Sequence, residues 1–180
     1  MNETIQTLKI RRSVRNFTDK PVDRALIEQI IDAGLWAASG MGKQAPIVLA
    51  ITNKELRDRL SHMNADIMRA TGRGPARDFD PFYGGPVVLV VLADKSVPTH
   101  VYDGALVMGN LMNAAASLGV DSIWIHRAKE EFDSEEGKAI LAEAGIEGDY
   151  EGIGHCVLGY AATPAGEGAA RRDGRVFWVE

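Results

Sequence analysis

Three arginines and a serine stand together near the start of the sequence, in the run Arg11-Arg12-Ser13-Val14-Arg15. Guanidinium groups match phosphate oxygens in a bidentate geometry, and a hydroxyl between them adds a neutral hydrogen-bond donor. A terminal phosphate with two negative charges is therefore the ligand that the cluster suits best. The alternative interpretation is a solvated basic patch, which the charge count alone favours.

The common catalytic motifs fail on inspection. Gly152 and Gly154 lack the third glycine of a dinucleotide-binding fingerprint, and the sequence has no Gly-x-Ser-x-Gly nucleophile motif. His155 and Cys156 are neighbours on a predicted strand, so their side chains point to opposite faces and do not form a catalytic pair. We interpret Cys156 as a core residue. The remaining histidines have no metal-ligand spacing, so we predict no metal site.

Length and composition narrow the class of protein. The 180 residues suit one domain, which we assign to the whole chain, 1–180. Twenty Lys and Arg against 25 Asp and Glu give a net charge of −5, which argues against nucleic acid as a partner. The single cysteine is typical of a reducing compartment. The longest apolar runs, 45–51 and 87–93, are far shorter than the ~20 residues that span a bilayer, so we expect a cytoplasmic protein without a membrane partner.

Hydrophobic periodicity and helix caps predict the elements that must position the arginine cluster. They predict a short N-terminal helix that runs into the arginine run 11–15, and helices over 23–38, 53–67, 102–118 and 133–144. Short apolar runs predict strands over 47–52, 87–93, 120–125 and 154–160, and the first resembles a strand buried on both faces.

Residues 71–86 show no period of 2 or 3.6 and carry several glycines and prolines, which predicts a long functional loop or lid. Phe79, Phe82 and Tyr83 lie in this segment. Aromatic faces suit planar guests, so the three rings are candidates for a wall or lid over a substrate. The alternative is ordinary hydrophobic anchoring of the loop.

The C-terminal tail, 161–180, is rich in small residues but ends in the β-prone run 175–179, RVFWV. A solvated terminus does not normally carry such a run, so we expect it to pair with a sheet. Helix 102–118 is also apolar on nearly every face. Both features indicate that a second copy supplies part of the core, and we predict a homodimer with an exchanged C-terminal arm.

Four blocks in order resemble the FMN-dependent nitroreductase family: 11–18, RRSVRNFT; 35–44, LWAASGMGKQ; 152–160, GIGHCVLGY; and the pair Arg171-Arg172. The resemblance implies an α+β (three-layer α/β) fold, with a central mixed sheet flanked by helices. It also implies an obligate homodimer that binds flavin mononucleotide (FMN) in clefts between the subunits. This agrees with the dimer inferred from the tail.

The resemblance also assigns cofactor-binding residues. Arg11, Arg12 and Ser13 correspond to contacts with the FMN phosphate and ribityl chain, and Arg15 to the cation beside the flavin pyrimidine edge. The loop of Ser39, Gly40, Met41, Gly42 and Gln44 corresponds to a segment that reaches the other subunit's flavin. The main chain of Ile125, His126 and Arg127 corresponds to the segment that faces flavin N5 and O4. Arg171 and Arg172 correspond to residues that close on the phosphate. Core filling is the alternative role for Met41, and a solvated pair in a loose tail is the alternative for the last two.

In that family NAD(P)H delivers hydride to flavin N5 and is replaced by a small-molecule oxidant, such as a nitroaromatic or a quinone, in a ping-pong cycle. No catalytic side chain is required, because the flavin performs the redox chemistry. Two alternatives stay open. Related FMN enzymes carry out reductive dehalogenation or oxygen-dependent flavin cleavage, and a flavin-binding homodimer without NAD(P)H turnover would serve storage or regulation.

Overall fold

The described residues contain one sheet of four strands, in the order β1-β2-β4-β3. A computed structural model describes residues 2–72 and 79–180. The strands are β1 (Pro46–Ile51), β2 (Val87–Asp94), β3 (Asp121–Ile125) and β4 (Tyr150–Gly159), and each neighbouring pair is antiparallel. Within the described residues, parallel pairing is limited to the isolated bridge between Ser13 and Ser122.

In the part of the chain that the structure describes, six α-helices surround the sheet: α1 (Glu3–Ile10), α2 (Arg24–Leu35), α3 (Lys54–Ala70), α4 (His100–Ser117), α5 (Ala128–Asp133) and α6 (Glu135–Glu143). The predicted caps are confirmed, because the side chains of Asp23 and Asn53 accept hydrogen bonds from the first turns of α2 and α3. Sequence periodicity missed the short helix α5, which precedes the capping residue Ser134. The α+β fold class is confirmed, with the strands of the described residues in an antiparallel sheet where the resemblance implied a mixed one.

The central strand β2 separates two hydrophobic layers. Its side chains alternate, so Val88 and Val90 pack with Leu60 and Phe82, while Leu89 and Val91 pack on the opposite face with α2 and α4. Every residue of 87–93 is buried. Helices therefore cover both faces of the sheet, in a three-layer arrangement.

Two expectations from the sequence differ from the structure. Strand β1 lies at a sheet edge with a half-buried centre and an exposed Ala50, so the prediction of a strand buried on both faces is wrong for it. The run 175–179 pairs with no strand within 2–72 and 79–180, and Phe177 is 87% exposed. Its exchange with a second copy stays a prediction.

The segment 79–86 has no helix or strand, as expected for a loop, and the rest of that prediction, 73–78, lies outside the described residues. None of the described helices is both long and apolar enough to cross a membrane.

Candidate functional site

The arginine run lies along the outer edge of β3. Helix α1 ends at Ile10, and the chain continues extended, with the Val14 N–H donating to the Ser122 carbonyl oxygen at 3.2 Å. Val14 and Phe17 are buried and anchor this segment to the core, while Arg15 points to solvent. The fold therefore fixes the backbone of the run and leaves its polar side chains free to face a ligand.

A cavity of about 570 Å³ opens beside this segment. Its walls are the arginine run on one side and the tail residues 163–169 on the other, and it is lined by the predicted contacts Arg11, Arg12, Ser13, Arg15 and Arg171. Arg172 is exposed and does not line this cavity. The structure thus brings together residues from both ends of the chain, apart from Arg172.

Two guanidinium groups of this cavity carry buried donors without partners. Arg12 Nη1 donates to the carbonyl oxygens of Lys9 and Arg11, both at 2.8 Å, which closes the end of α1. Arg12 Nε and Arg11 Nη1 are buried and have no hydrogen-bond partner among the described residues. Because a buried charged donor without an acceptor is costly, this pattern fits a site completed by an anion. The residues present therefore fit the phosphate of FMN.

At the other end of β3, the predicted Ile125–Arg127 segment forms a tight turn before α5 begins. Arg127 adopts a left-handed conformation, with φ of 78°. The side chain of Asn64, on α3, donates to the His126 carbonyl oxygen at 2.9 Å and accepts a hydrogen bond from Arg127 Nε at 2.9 Å. Sequence reasoning missed Asn64, because nothing in the local pattern of α3 links it to a turn 62 residues later.

Behind this turn lie a fully buried glutamate and histidine that sequence reasoning also missed. Glu131 Oε1 accepts a hydrogen bond from Asn64, and Glu131 Oε2 lies 2.7 Å from His155 Nε2. His155 and Cys156 face opposite layers of the core, as predicted, and burial raises the pKa of the Cys156 thiol to about 12. Cys156 is thus a neutral core residue.

The predicted loop 39–44 forms a short 3₁₀ turn, Gly40–Gly42, held at both ends. Ser39 Oγ accepts from the Gln44 N–H at 3.0 Å, and the buried Asp103 of α4 accepts from the Gly40 N–H at 3.0 Å. Met41 has a left-handed backbone and is 83% exposed, so the core-filling alternative is wrong.

Loop 39–44 and the arginine cavity lie at opposite edges of the sheet. The loop leads into β1 and the arginine run borders β3, and the strand order places two strands between them. Three interstrand spacings amount to about 14 Å. One chain does not bring these two parts of the predicted site together.

The loop at 79–86, which carries the three predicted substrate rings, is attached to α3 by a cluster of polar side chains. Arg57 donates to Asp80 and to the Gly85 carbonyl oxygen, and Asp80 also accepts from Ser61 Oγ at 2.6 Å and from the Gly84 N–H at 2.7 Å. Burial alone would raise the pKa of the Asp80 carboxyl. Hydrogen bonds from Ser61, Arg57 and Gly84 outweigh it and hold that pKa below its ordinary value.

The three predicted substrate rings separate into two environments. Phe82 is completely buried, 5.2 Å from the His155 ring, so it anchors the loop and presents no face to a guest. This differs from its predicted role in a substrate wall. Phe79 and Tyr83 are half-buried and meet edge to face at 5.6 Å. Their contact with a substrate stays a prediction.

Comparison with known proteins places this geometry in a family. Residues 8–160 match the sequence model of the Nitroreductase family. An FMN-bound nitroreductase from Bacteroides fragilis NCTC 9343 is 27% identical, with a TM-score of 0.90 and full coverage of both chains. An FMN-bound nitroreductase from Desulfitobacterium hafniense DCB-2 is 26% identical, with a TM-score of 0.86 and full coverage of both chains.

Among curated proteins, the FMN reductase [NAD(P)H] of Bacillus subtilis (strain 168) is 29% identical over 140 residues, which cover 68% of this chain and 53% of that protein. The chain spans just over half the length of the curated relatives that it matches in this way. Since the family match covers most of the chain and the fold agrees over its whole length, this protein belongs to the nitroreductase family.

Proposed function

We propose that the chain binds FMN and acts as an NAD(P)H oxidoreductase of the nitroreductase type, which passes hydride to a small-molecule oxidant such as a nitroaromatic or a quinone. The observation that carries the proposal is the pair of buried, unpartnered guanidinium donors at Arg11 and Arg12. An acidic protein with net charge −5 has ample carboxylates to pair with them, yet these two atoms have no partner among the described residues, and both arginines line the cavity. FMN bound to the related nitroreductase from B. fragilis supports the identity of the ligand.

The distance along β3 suits a ligand with an anionic end and a planar end. Ser122 bonds to the arginine run, and Ile125, three residues later, opens the turn at 125–127. At about 3.3 Å per residue these points lie on the order of 10 Å apart. The phosphate would lie at the arginine end, and the flavin ring would lie near the turn.

The chain's own residues bind and orient the cofactor. Bound FMN supplies the hydride chemistry that no protein side chain provides. Arg11 and Arg12 neutralise the phosphate, and Arg171 adds charge at the cavity rim. Arg15 also lines this cavity, and its place beside the flavin pyrimidine edge stays a prediction. Main-chain donors of the 125–127 turn suit the ring edge, because they stay fixed whichever way the ring atoms exchange protons.

A second copy would complete the site. Loop 39–44 lies at the opposite sheet edge from the arginine cavity, so its predicted contact with flavin requires the cavity of another subunit. Exposed apolar side chains on α1 and α4, just after α2 and in the tail supply a surface for that association: Leu8, Trp36, Tyr102, Leu106 and Phe177. We therefore propose a homodimer with two FMN sites, each built from both chains.

Anaerobic titration of the FMN-loaded protein tests this proposal. We expect NADH or NADPH to bleach the flavin absorbance, and a quinone or nitroaromatic to restore it in a separate step. Sedimentation in the same buffer should show a dimer. A protein that binds no FMN contradicts the proposal entirely, whereas bound flavin that neither nicotinamide reduces contradicts the reductase and leaves a flavin-binding protein without turnover.

A further inference from the structure

The backbone of Arg127 is the first part of this inference. Arg127 occupies the position that begins α5, with φ of 78°, and makes no side-chain cap to that helix. Glycine is the usual occupant of this conformation, because an L side chain is strained there. A long cationic side chain at a strained backbone position, beside the place proposed for the flavin ring, points to a role for the guanidinium itself.

Asn64 holds this strained turn with both ends of one buried amide. Its Nδ2 donates to the His126 carbonyl oxygen and to Glu131, and its Oδ1 accepts from Arg127 Nε. Asn64 is 0% exposed, so these bonds have no competition from water. One residue thus fixes the main chain at 126 and the direction of the side chain at 127.

The hydrogen bonds of Glu131 and His155 show which charge of this network has no counterion within it. The Ile125 carbonyl oxygen, 3.3 Å from His155 Nδ1, only accepts, so Nδ1 carries a hydrogen. One further proton is then shared between His155 Nε2 and Glu131 Oε2, and the pair is neutral in total wherever that proton resides. Glu131 is therefore balanced by His155, and the positive charge of Arg127 is not cancelled within the network.

The guanidinium of Arg127 is held at one atom only. Its Nε is used by Asn64, while Nη1 and Nη2 have no hydrogen-bond partner within 2–72 and 79–180. The side chain is half-buried, so the free end can reach a ligand at the end of β3. An oriented, uncompensated cation at this position would stabilise negative charge that develops on a bound ring.

Resting on the proposed function, we propose that Asn64 is a positioning residue, which orients Arg127 so that its charge stabilises the reduced form of the bound flavin. Arg127 acts directly on the ring, and Asn64 acts through Arg127. Removal of either should make the flavin harder to reduce without removing it from the arginine cavity.

A double-mutant cycle on the midpoint potential of the bound FMN tests this order of action. We expect Arg127→Ala to shift the potential to a more negative value and Asn64→Ala to produce part of that shift. In the Arg127→Ala background, Asn64→Ala should add no further shift. An unchanged potential in Arg127→Ala, or an equal Asn64→Ala shift in both backgrounds, would overturn the proposal.

Two variants guard against a trivial loss of structure. Ser61→Ala removes a different buried hydrogen bond from the same helix, the one to Asp80, and should lower stability without moving the potential. If Asn64→Ala does not fold, Arg127→Lys replaces it in the test. Lysine keeps the charge but lacks the Nε–H that Asn64 accepts, so it should also lower the potential, by less than Arg127→Ala; a wild-type potential in Arg127→Lys would contradict the orienting role.

Failure of this inference is distinguishable from failure of the proposed function. In protein without added flavin, NMR should show a slowly exchanging Arg127 Nε–H signal that Asn64→Ala abolishes and Ser61→Ala keeps. Loss of FMN binding would contradict the proposed function, whereas a rapidly exchanging Nε–H in the wild type would contradict the positioning contact alone.

Discussion

The arginines of this chain fall into two groups that the fold treats differently. Arg57 is buried, and its three guanidinium nitrogens donate to the Gly85 carbonyl oxygen, Asp58 and Asp80. Arg11 and Arg12 also have buried nitrogens, but Arg11 Nη1 and Arg12 Nε have no partner among the described residues. Arg57 therefore has a structural role, whereas Arg11 and Arg12 are the proposed contacts to a ligand.

We propose that hydrogen-bond partners, and not burial or charge, separate a structural arginine from a binding one in this chain. Each guanidinium nitrogen of Arg57 has a partner, and the side chain ties the loop at 79–86 to α3, which suits a role in stability. The cavity arginines are incompletely satisfied, so the apoprotein bears a cost that an anion would remove. Substitutions in the two groups should therefore have opposite consequences for folding and for binding.

The largest expected effect is on folding. Arg57→Met should lower the free energy of unfolding by about 3 kcal/mol, because it leaves Asp80 half-buried without its cation. The matched change Arg11→Met, measured without FMN, should stay within about 0.5 kcal/mol of wild type or increase stability, since it removes an unpartnered charge. Urea unfolding of both variants measures this contrast, and equal losses would contradict the division into two groups.

The next effect is on binding. Arg11→Met should weaken FMN binding roughly tenfold to a hundredfold, which corresponds to the loss of one charge-assisted hydrogen bond of about 1.5–3 kcal/mol. The folded fraction of Arg57→Met should bind FMN as wild type does. Fluorescence titration with FMN checks both, and tight binding by Arg11→Met would place the phosphate elsewhere.

A smaller effect concerns pH. Hydrogen bonds lower the pKa of Asp80 in the folded chain. Its ionised carboxylate therefore adds stability at pH values above the ordinary pKa of about 4, and this contribution is lost as the pH falls through the lowered pKa of the folded chain. The stability gap between wild type and Asp80→Asn should therefore narrow as pH decreases from 7 to below about 4. A gap independent of pH, in urea unfolding at several pH values, would show that Asp80 is not the group that titrates.

The smallest effect concerns the strained turn. Arg127→Gly should be more stable than Arg127→Ala by about 1 kcal/mol, because both lose the bond to Asn64 but only glycine tolerates φ of 78° without strain. Thermal unfolding of the two variants measures the difference. Equal stabilities would mean that the left-handed backbone carries no cost, which would weaken the argument that the guanidinium is kept there for binding.

Local patterns predicted much of the fold. Asp23 and Asn53 marked helix starts because capping is a contact over two or three residues, and the run 87–93 marked the central strand because it is apolar on both faces. The same kind of apolar run led to the wrong prediction that β1 is buried on both faces, since composition does not reveal which strand lies at a sheet edge.

The site was only partly predictable. The arginine run and Arg171 were found by residue type and family resemblance, and the structure joins them at one cavity. Asn64, Glu131 and His155 come from three separate elements, so only the packed fold shows that they form one network. Phe82 was misassigned because an aromatic ring in a loop has the same sequence signature whether it faces a guest or the core.

Binding of FMN compared with riboflavin tests the central claim most directly, because the two ligands differ only in the phosphate. If the unpartnered donors of Arg11 and Arg12 bind the phosphate, FMN should bind at least about a hundredfold more tightly than riboflavin, as expected from two charge-assisted hydrogen bonds. Arg11→Met should reduce the ratio of the two affinities by about tenfold or more. Equal affinity for FMN and riboflavin in the wild-type protein would contradict the account.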